Sequence, residues 1–216
     1  MELASQVRSD LPEFLGGSPV EARPTRTELP RAREGRIPGE AGLWIFILGD
    51  MSLFGAFFVV LLWERRTAPE IFGGSARELM RSIGVINTAV LLFSSYLVVS
   101  ALWAHRQRCW RRARLSVVAA LTCAGIFATL KAAEYVHILG GGEGPATNTF
   151  YTFYFVLTGV HLLHVLIGAA LLTSWIQVLR RRGPVGRLVE AIAVYWHMVD
   201  LLWVVIFTLL YLVCAA

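Results

Sequence analysis

Five long apolar stretches, at residues 44–62, 83–103, 115–136, 151–178 and 189–214, constrain this sequence more than anything else in it. A bilayer core about 30 Å thick takes roughly 20 apolar residues of helix, so each stretch is long enough to cross one. A helix also satisfies its own backbone hydrogen bonds, which lipid cannot do for it. The expected fold class is therefore all-α, a polytopic membrane protein built as a bundle of five transmembrane helices. Pro69, Pro145 and Pro184 all fall in connections, so the five helices are expected to run unbroken. With 56% apolar residues, 16% charged residues and a mean hydropathy of +0.60, the chain is too oily for a water-soluble enzyme.

Charge supplies an orientation. Lys131 is the only lysine, so nearly all of the positive charge is arginine. Arg8, Arg23, Arg26, Arg31, Arg33 and Arg36 precede the first stretch. The second connection carries Arg106, Arg108, Arg111, Arg112 and Arg114, and the fourth adds Arg180, Arg181, Arg182 and Arg187. The opposite side holds Arg65, Arg66, Arg77 and Arg81, a balance of fifteen to four. By the positive-inside rule the N-terminus is expected in the cytoplasm and the C-terminus outside. Arginines at helix ends explain the net charge of +5 without nucleic acid.

Residues 1–40 contain Pro12, Pro19, Pro24, Pro30 and Pro38 among mixed charges, and read as a disordered tail ahead of a membrane domain over 41–216. Cys109, Cys123 and Cys214 are far apart and fit neither a disulfide framework nor a thiolate metal site. Trp44, Trp63, Trp103, Tyr151, Trp175 and Tyr211 lie near stretch ends and suit the membrane interface.

The informative residues are the ionisable ones inside the stretches, each costing about 2.5–3.5 kcal/mol on insertion scales unless it faces protein or water. They are Asp50, Lys131, Glu134, His161, His164, Glu190, His197 and Asp200. Depth at about 1.5 Å per residue brings His161, His164, His197 and Asp200 close to the midplane. Glu190, Ala193, His197 and Asp200 form one stripe, and Gly168 follows the two histidines on their own face. Glu134, His161, His164, Glu190, His197 and Asp200 are therefore expected to form a buried polar network. Two other readings use the same residues: a haem held between His161 and His197, and a metal site of His and carboxylate ligands. A bis-His haem would make the chain an independent membrane cytochrome; a proton path through Asp50 and the histidines would make it a small transporter.

Lys131 and Glu134 stand one turn apart and can pair within their helix, while Lys131 also suits the phosphate of a lipid headgroup. Asp50 has no charged residue one turn away, and Gly49, Ser52, Gly55 and Ala56 around it invite close packing of another helix. An isolated carboxyl there suits a proton-holding role, or a hydrogen bond to a backbone carbonyl.

From about Gly39 onward these residues resemble subunit III of the haem-copper oxidases. The likeness rests on Phe46-Ile-Leu-Gly-Asp50, Phe54-Gly-Ala-Phe-Phe58, Asn87-Thr88 and Trp103-Ala-His105. It continues through Glu134-Tyr135, Thr158-Gly-Val-His161-Leu-Leu-His164 with Gly168, and Tyr195-Trp-His-Met-Val-Asp200 with Trp203. The five-helix form with a tail is similar to the short members of the family. Leu130-Lys131 before Glu134 resembles the NorE type, which is associated with nitric oxide reductase. The resemblance implies a non-catalytic subunit without a redox centre of its own, haem and copper belonging to the partner catalytic subunit I. It further implies a bacterial inner membrane location, and a link between Asp50 and cytoplasmic proton uptake. Longer members open with two further helices whose cleft holds phospholipid, and that pair is not expected here.

Overall fold

A computed structural model describes residues 41–215. The tail read as disordered lies outside the described residues. Six α-helices follow one another: α1 Ala41–Thr67, α2 Pro69–Glu78, α3 Arg81–Arg106, α4 Trp110–Gly140, α5 Thr149–Arg180 and α6 Arg187–Phe207. A π-helical turn, Thr208–Val213, continues α6. No strand occurs among the described residues. Five helices are long and apolar enough to cross a membrane, α2 being the exception.

The central helix is α6. Within its most apolar window 56% of residues are buried, against 22% for α1, which rests against α5 and α6 at the bundle's edge. α3, α4, α5 and α6 close the core, where Phe127, Trp175, Trp196 and Trp203 are fully buried. Glycine permits the tightest approaches. A Cβ at Gly168 would stand 2.7 Å from Trp196 Cε3, and one at Gly84 would stand 2.7 Å from Phe207 Cε2. Gly49 and Gly55, by contrast, have no neighbour within 4 Å of a Cβ among the described residues, so the small residues around Asp50 pack none of the described helices.

The first connection contains α2, a helix of ten residues that is too short to span a membrane. Pro69 sits in its first turn, where the missing N–H costs nothing. Its buried Phe72 meets Phe150 edge-on at 5.7 Å. Ser75 Oγ accepts a hydrogen bond from Asn148 Nδ2 at 3.0 Å, and Glu78 accepts one from Tyr151 OH at 2.8 Å. Asn148 also caps α5, its Oδ1 accepting from Tyr151 N. This one asparagine thus starts α5 and ties α2 to it.

Three helices end in the same Schellman pattern. After α4, Glu143 N donates to Ile138 O, Gly142 N donates to Leu139 O, and Gly142 takes the left-handed conformation (φ 88°) that glycine adopts freely. After α3 the equivalent bonds run from Cys109 N to Ala104 O and from Arg108 N to His105 O. After α5 they run from Gly183 N to Val178 O and from Arg182 N to Leu179 O. In those two turns the left-handed residue is an arginine, Arg108 (φ 57°) or Arg182 (φ 51°), at a cost of about 1 kcal/mol each.

Candidate functional site

Along the helices, the ionisable residues separate into several sites and do not form a single network. The most enclosed is centred on Lys131. Its ammonium group has three N–H bonds, and all three are used: on Glu134 Oε2 at 2.9 Å, on Tyr154 OH at 3.0 Å and on Tyr211 OH at 2.9 Å. Tyr211 OH in turn donates to Glu134 Oε1 at 2.7 Å, so both carboxylate oxygens are engaged. Aromatic faces complete the shell, with the ammonium 4.5 Å from the Tyr154 ring centroid and 5.2 Å from that of Trp203. Tyr211 reaches this pair from the π-helical turn, where the wider winding shifts the side chain from its α-helical direction. Lys131 is 0% exposed, which corrects the expectation that it could meet a lipid headgroup.

Asp50 has a partner after all. Its Oδ1 lies 3.1 Å from His164 Nε2, joining α1 to α5, while Phe54 packs edge-on against the same imidazole. The other ring nitrogen, Nδ1, is 2.8 Å from Val160 O. A carbonyl oxygen only accepts, so Nδ1 carries a hydrogen. Nε2 and Oδ1 can then meet favourably only with one further proton between them, held by either group. Asp50 Oδ2 is buried with no hydrogen-bond partner among the described residues.

Helical rotation explains why the two α5 histidines part. Three residues turn the helix by about 300°, so His161 and His164 point about 60° apart. His164 faces α1, whereas His161 is enclosed between Phe127 on α4 and Trp203 on α6, with ring centroids 5.5 Å and 5.2 Å away. Neither nitrogen of His161 has a hydrogen-bond partner among the described residues. A macrocycle could approach that ring only by displacing both aromatic neighbours.

The expected α6 stripe faces α3. Glu190 is half-buried at the start of α6, where its Oε1 accepts from Arg106 at 3.2 Å. This removes it from the buried network, because it lies at the end of the bundle. His197 Nδ1 is hydrogen-bonded to Ser95 Oγ, and Trp196 Nε1 and Trp203 Nε1 donate to Ser94 Oγ and Thr88 Oγ1. Asp200 is buried close to Ser95, yet neither carboxylate oxygen makes a hydrogen bond of good geometry. No group of three or more His, Cys, Asp or Glu residues able to hold a metal occurs among the described residues.

One site was missed outright in the sequence. His105 Nδ1 accepts from Trp175 Nε1 at 3.0 Å while Nε2 donates to Gly183 O at 2.9 Å, fixing a single tautomer and clamping the end of α3 to the turn after α5. Its only signal in the sequence was the motif Trp103-Ala-His105, where it reads as a residue at the membrane edge.

The pattern of the cytochrome c oxidase subunit III family matches residues 39–215. A probable quinol oxidase subunit 3 from Staphylococcus aureus is 29% identical over 193 residues, covering 88% of this chain and 95% of the relative. A cytochrome c oxidase subunit 3 from Thermostichus vulcanus is 29% identical over 197 residues, covering 89% of this chain and 96% of the relative.

Proposed function

The chain belongs to the cytochrome c oxidase subunit III family, and from that premise we propose that it sits beside a haem-copper catalytic subunit and holds a proton for that partner at Asp50 and His164. The observation that carries the reading is the 3.1 Å contact of Asp50 Oδ1 with His164 Nε2: with Nδ1 of His164 bonded to Val160 O, the two groups meet favourably when one proton lies between them. Oδ2 of Asp50, unbonded among the described residues, is the atom at which an incoming proton would arrive. Asp50 stands nine residues after the first residue of α1, about 14 Å along the helix. With the arginine-rich end in the cytoplasm, under the positive-inside rule, that is the uptake side.

Haem and copper belong in this reading to the partner. His161, one of the two histidines weighed as axial ligands, is enclosed between Phe127 and Trp203, whose rings a macrocycle would have to displace. Both relatives carry oxidase names, which favours an oxidase over a nitric oxide reductase as the complex joined, in a bacterial inner membrane.

The test is Asp50→Asn in the assembled complex. Asparagine keeps the shape and a hydrogen-bond partner for His164 but cannot release a proton. Steady-state turnover is expected to fall or to decay sooner, with the subunit still bound. Turnover unchanged through long assays would remove the proton-holding role. Mass spectrometry of what co-purifies at native expression in mild detergent then identifies the partner, and recovery of nitric oxide reductase subunits in place of an oxidase would reassign it.

A further inference from the structure

Five hydroxyls on the exposed surface of the bundle, those of Ser52, Thr122, Thr129, Thr173 and Thr208, donate to carbonyls one turn back on their own helices. Tyr96 on α3 cannot do so, because a phenol holds its hydroxyl a full ring's length from the backbone. The residue is 65% exposed, and its hydroxyl has no hydrogen-bond partner among the described residues. Tyr96 stands about 4 Å from the middle of the span Arg81–Arg106. Helical side chains lean toward the N-terminus of their helix, and the ring accordingly stacks on Phe93 with centroids 6.3 Å apart, nearer still to the middle. Neither water nor a headgroup reaches that depth, so the hydroxyl faces hydrocarbon unless protein covers it.

A second unfilled group lies at the same level. His197 is half-buried about 5 Å from the middle of the span Arg187–Val213, and Ser95 engages its Nδ1 while nothing among the described residues engages Nε2. The bond between Ser95 and His197 joins α3 to α6 at this depth, and Tyr96 follows Ser95 directly. Along α3, Val85, Ala89, Leu92, Tyr96, Val99 and Trp103 are all exposed. They stand in alternating steps of four and three residues, the spacing by which one helix meets another along its length.

We propose that this face of α3 and α6 seats a transmembrane helix of the catalytic partner, one with a hydrogen-bonding side chain at the midplane opposite Tyr96 and His197. The inference rests on the reading of the chain as a subunit of a haem-copper complex. Acyl chains offer no hydrogen bond, whereas a helix satisfies its own backbone and can deliver a polar side chain at that depth. Charge selects a different chain over a second copy. The membrane gives two copies one orientation, so pairing through α3 would bring Arg106, Arg108 and Arg111 of each beside those of the other. Of these three only Arg106 has a carboxylate partner among the described residues, Glu190.

The complex would be purified from its native membrane through a tag on this chain. Photocrosslinking from Tyr96→p-benzoylphenylalanine is expected to capture a transmembrane peptide of the haem-copper subunit, and Leu163→p-benzoylphenylalanine, on the exposed surface of α5, to capture none of it. Tyr96→Phe keeps the ring and its stack on Phe93, and is expected to weaken retention of that subunit about threefold during a detergent titration. Leu92→Trp puts bulk into the seam and is expected to weaken it about tenfold or more, while Leu163→Trp leaves it within about twofold. All three positions are exposed, so thermal unfolding of the chain alone should match the parent, and Val99→Trp replaces Leu92→Trp if that variant unfolds early. A parent complex that holds the haem-copper subunit, with no crosslink to it from residue 96 and full retention in Leu92→Trp, would overturn the interface and leave the subunit reading intact. A parent that holds no haem-copper subunit would overturn that reading and the inference with it. Crosslinks from residue 96 to a second copy of this chain, or to lipid alone, would overturn the partner helix.

Discussion

Two acid–base pairs are buried in this bundle, and they are built on opposite principles. At Lys131 and Glu134 every donor and acceptor is filled, by two tyrosine hydroxyls and by the pair itself, and no atom is left over. At Asp50 and His164 the carboxylate and imidazole meet at 3.1 Å, the other carboxylate oxygen has no partner among the described residues, and the pair lies at the loosely packed α1 edge. A closed pair resists change in charge and so fixes structure. An open one can lose or gain a proton with few neighbours to rearrange, which is the property asked of a carrier.

The widest separation between the two is expected when one partner is removed. Lys131→Met takes the counter-charge from a fully buried Glu134 and removes a donor from two tyrosines, so a loss of about 3–5 kcal/mol is expected. Thermal unfolding in detergent, followed by near-UV circular dichroism, would measure it. The double variant Lys131→Met/Glu134→Leu should recover most of that loss, because the penalty lies in the orphaned charge. A double variant as unstable as the single one would mean that the tyrosine shell, and not the charge balance, holds the site.

Next in size is Tyr211→Phe, which keeps the ring but takes away a hydroxyl that both accepts from Lys131 and donates to Glu134. A loss of about 1–3 kcal/mol is expected in the same unfolding assay. Because Tyr211 reaches the pair from the π-helical turn, the variant should also loosen that turn, raising amide exchange over residues 208–213. Unaltered exchange there would separate the turn from the charge pair.

The sequence made part of this contrast legible. Five spanning helices follow from length and hydropathy, and Lys131 with Glu134 follows from a spacing of three residues. Tyr154 and Tyr211 are invisible at that stage, since they arrive from 23 and 80 residues away and carry no charge to draw notice. Asp50 looked isolated for the same reason: its partner is on α5, and only helix rotation turns His164 toward it and His161 away. The α6 stripe was read correctly as facing protein, but toward the wrong neighbour. It meets hydroxyls on α3, where Thr88, Ser94 and Ser95 resemble ordinary small residues of a membrane helix. α2 escaped detection because its ten residues are too few and too polar to read as a span.

For stability, Asp50→Asn should do far less than Lys131→Met, by about 1 kcal/mol or under, since the amide still fills the space and meets His164. Its effect belongs in turnover. A variant that destabilised the subunit by several kcal/mol would make the Asp50 pair a structural one like the other, and any loss of turnover would then follow from lost packing.

The finest comparison comes from exchanging the carboxylates for one another. Glu134→Asp draws the carboxylate back by one methylene in a site where Lys131 and Tyr211 stand 2.9 Å and 2.7 Å from its oxygens. Neither can follow, because the residues around them are fully buried. A cost of about 2 kcal/mol is expected. Asp50→Glu adds the same methylene at a site bordered by open space at Gly49 and Gly55, and the longer side chain can bend to keep His164 in reach. Its stability should stay within about 0.5 kcal/mol of the parent, and turnover should be retained because an acid of similar strength still holds the proton. Equal penalties for the two exchanges would contradict the difference in packing on which the separate roles rest. A stable Asp50→Glu protein with the poor turnover of Asp50→Asn would show that the carboxylate's position, and not its ability to carry a proton, is what the complex requires.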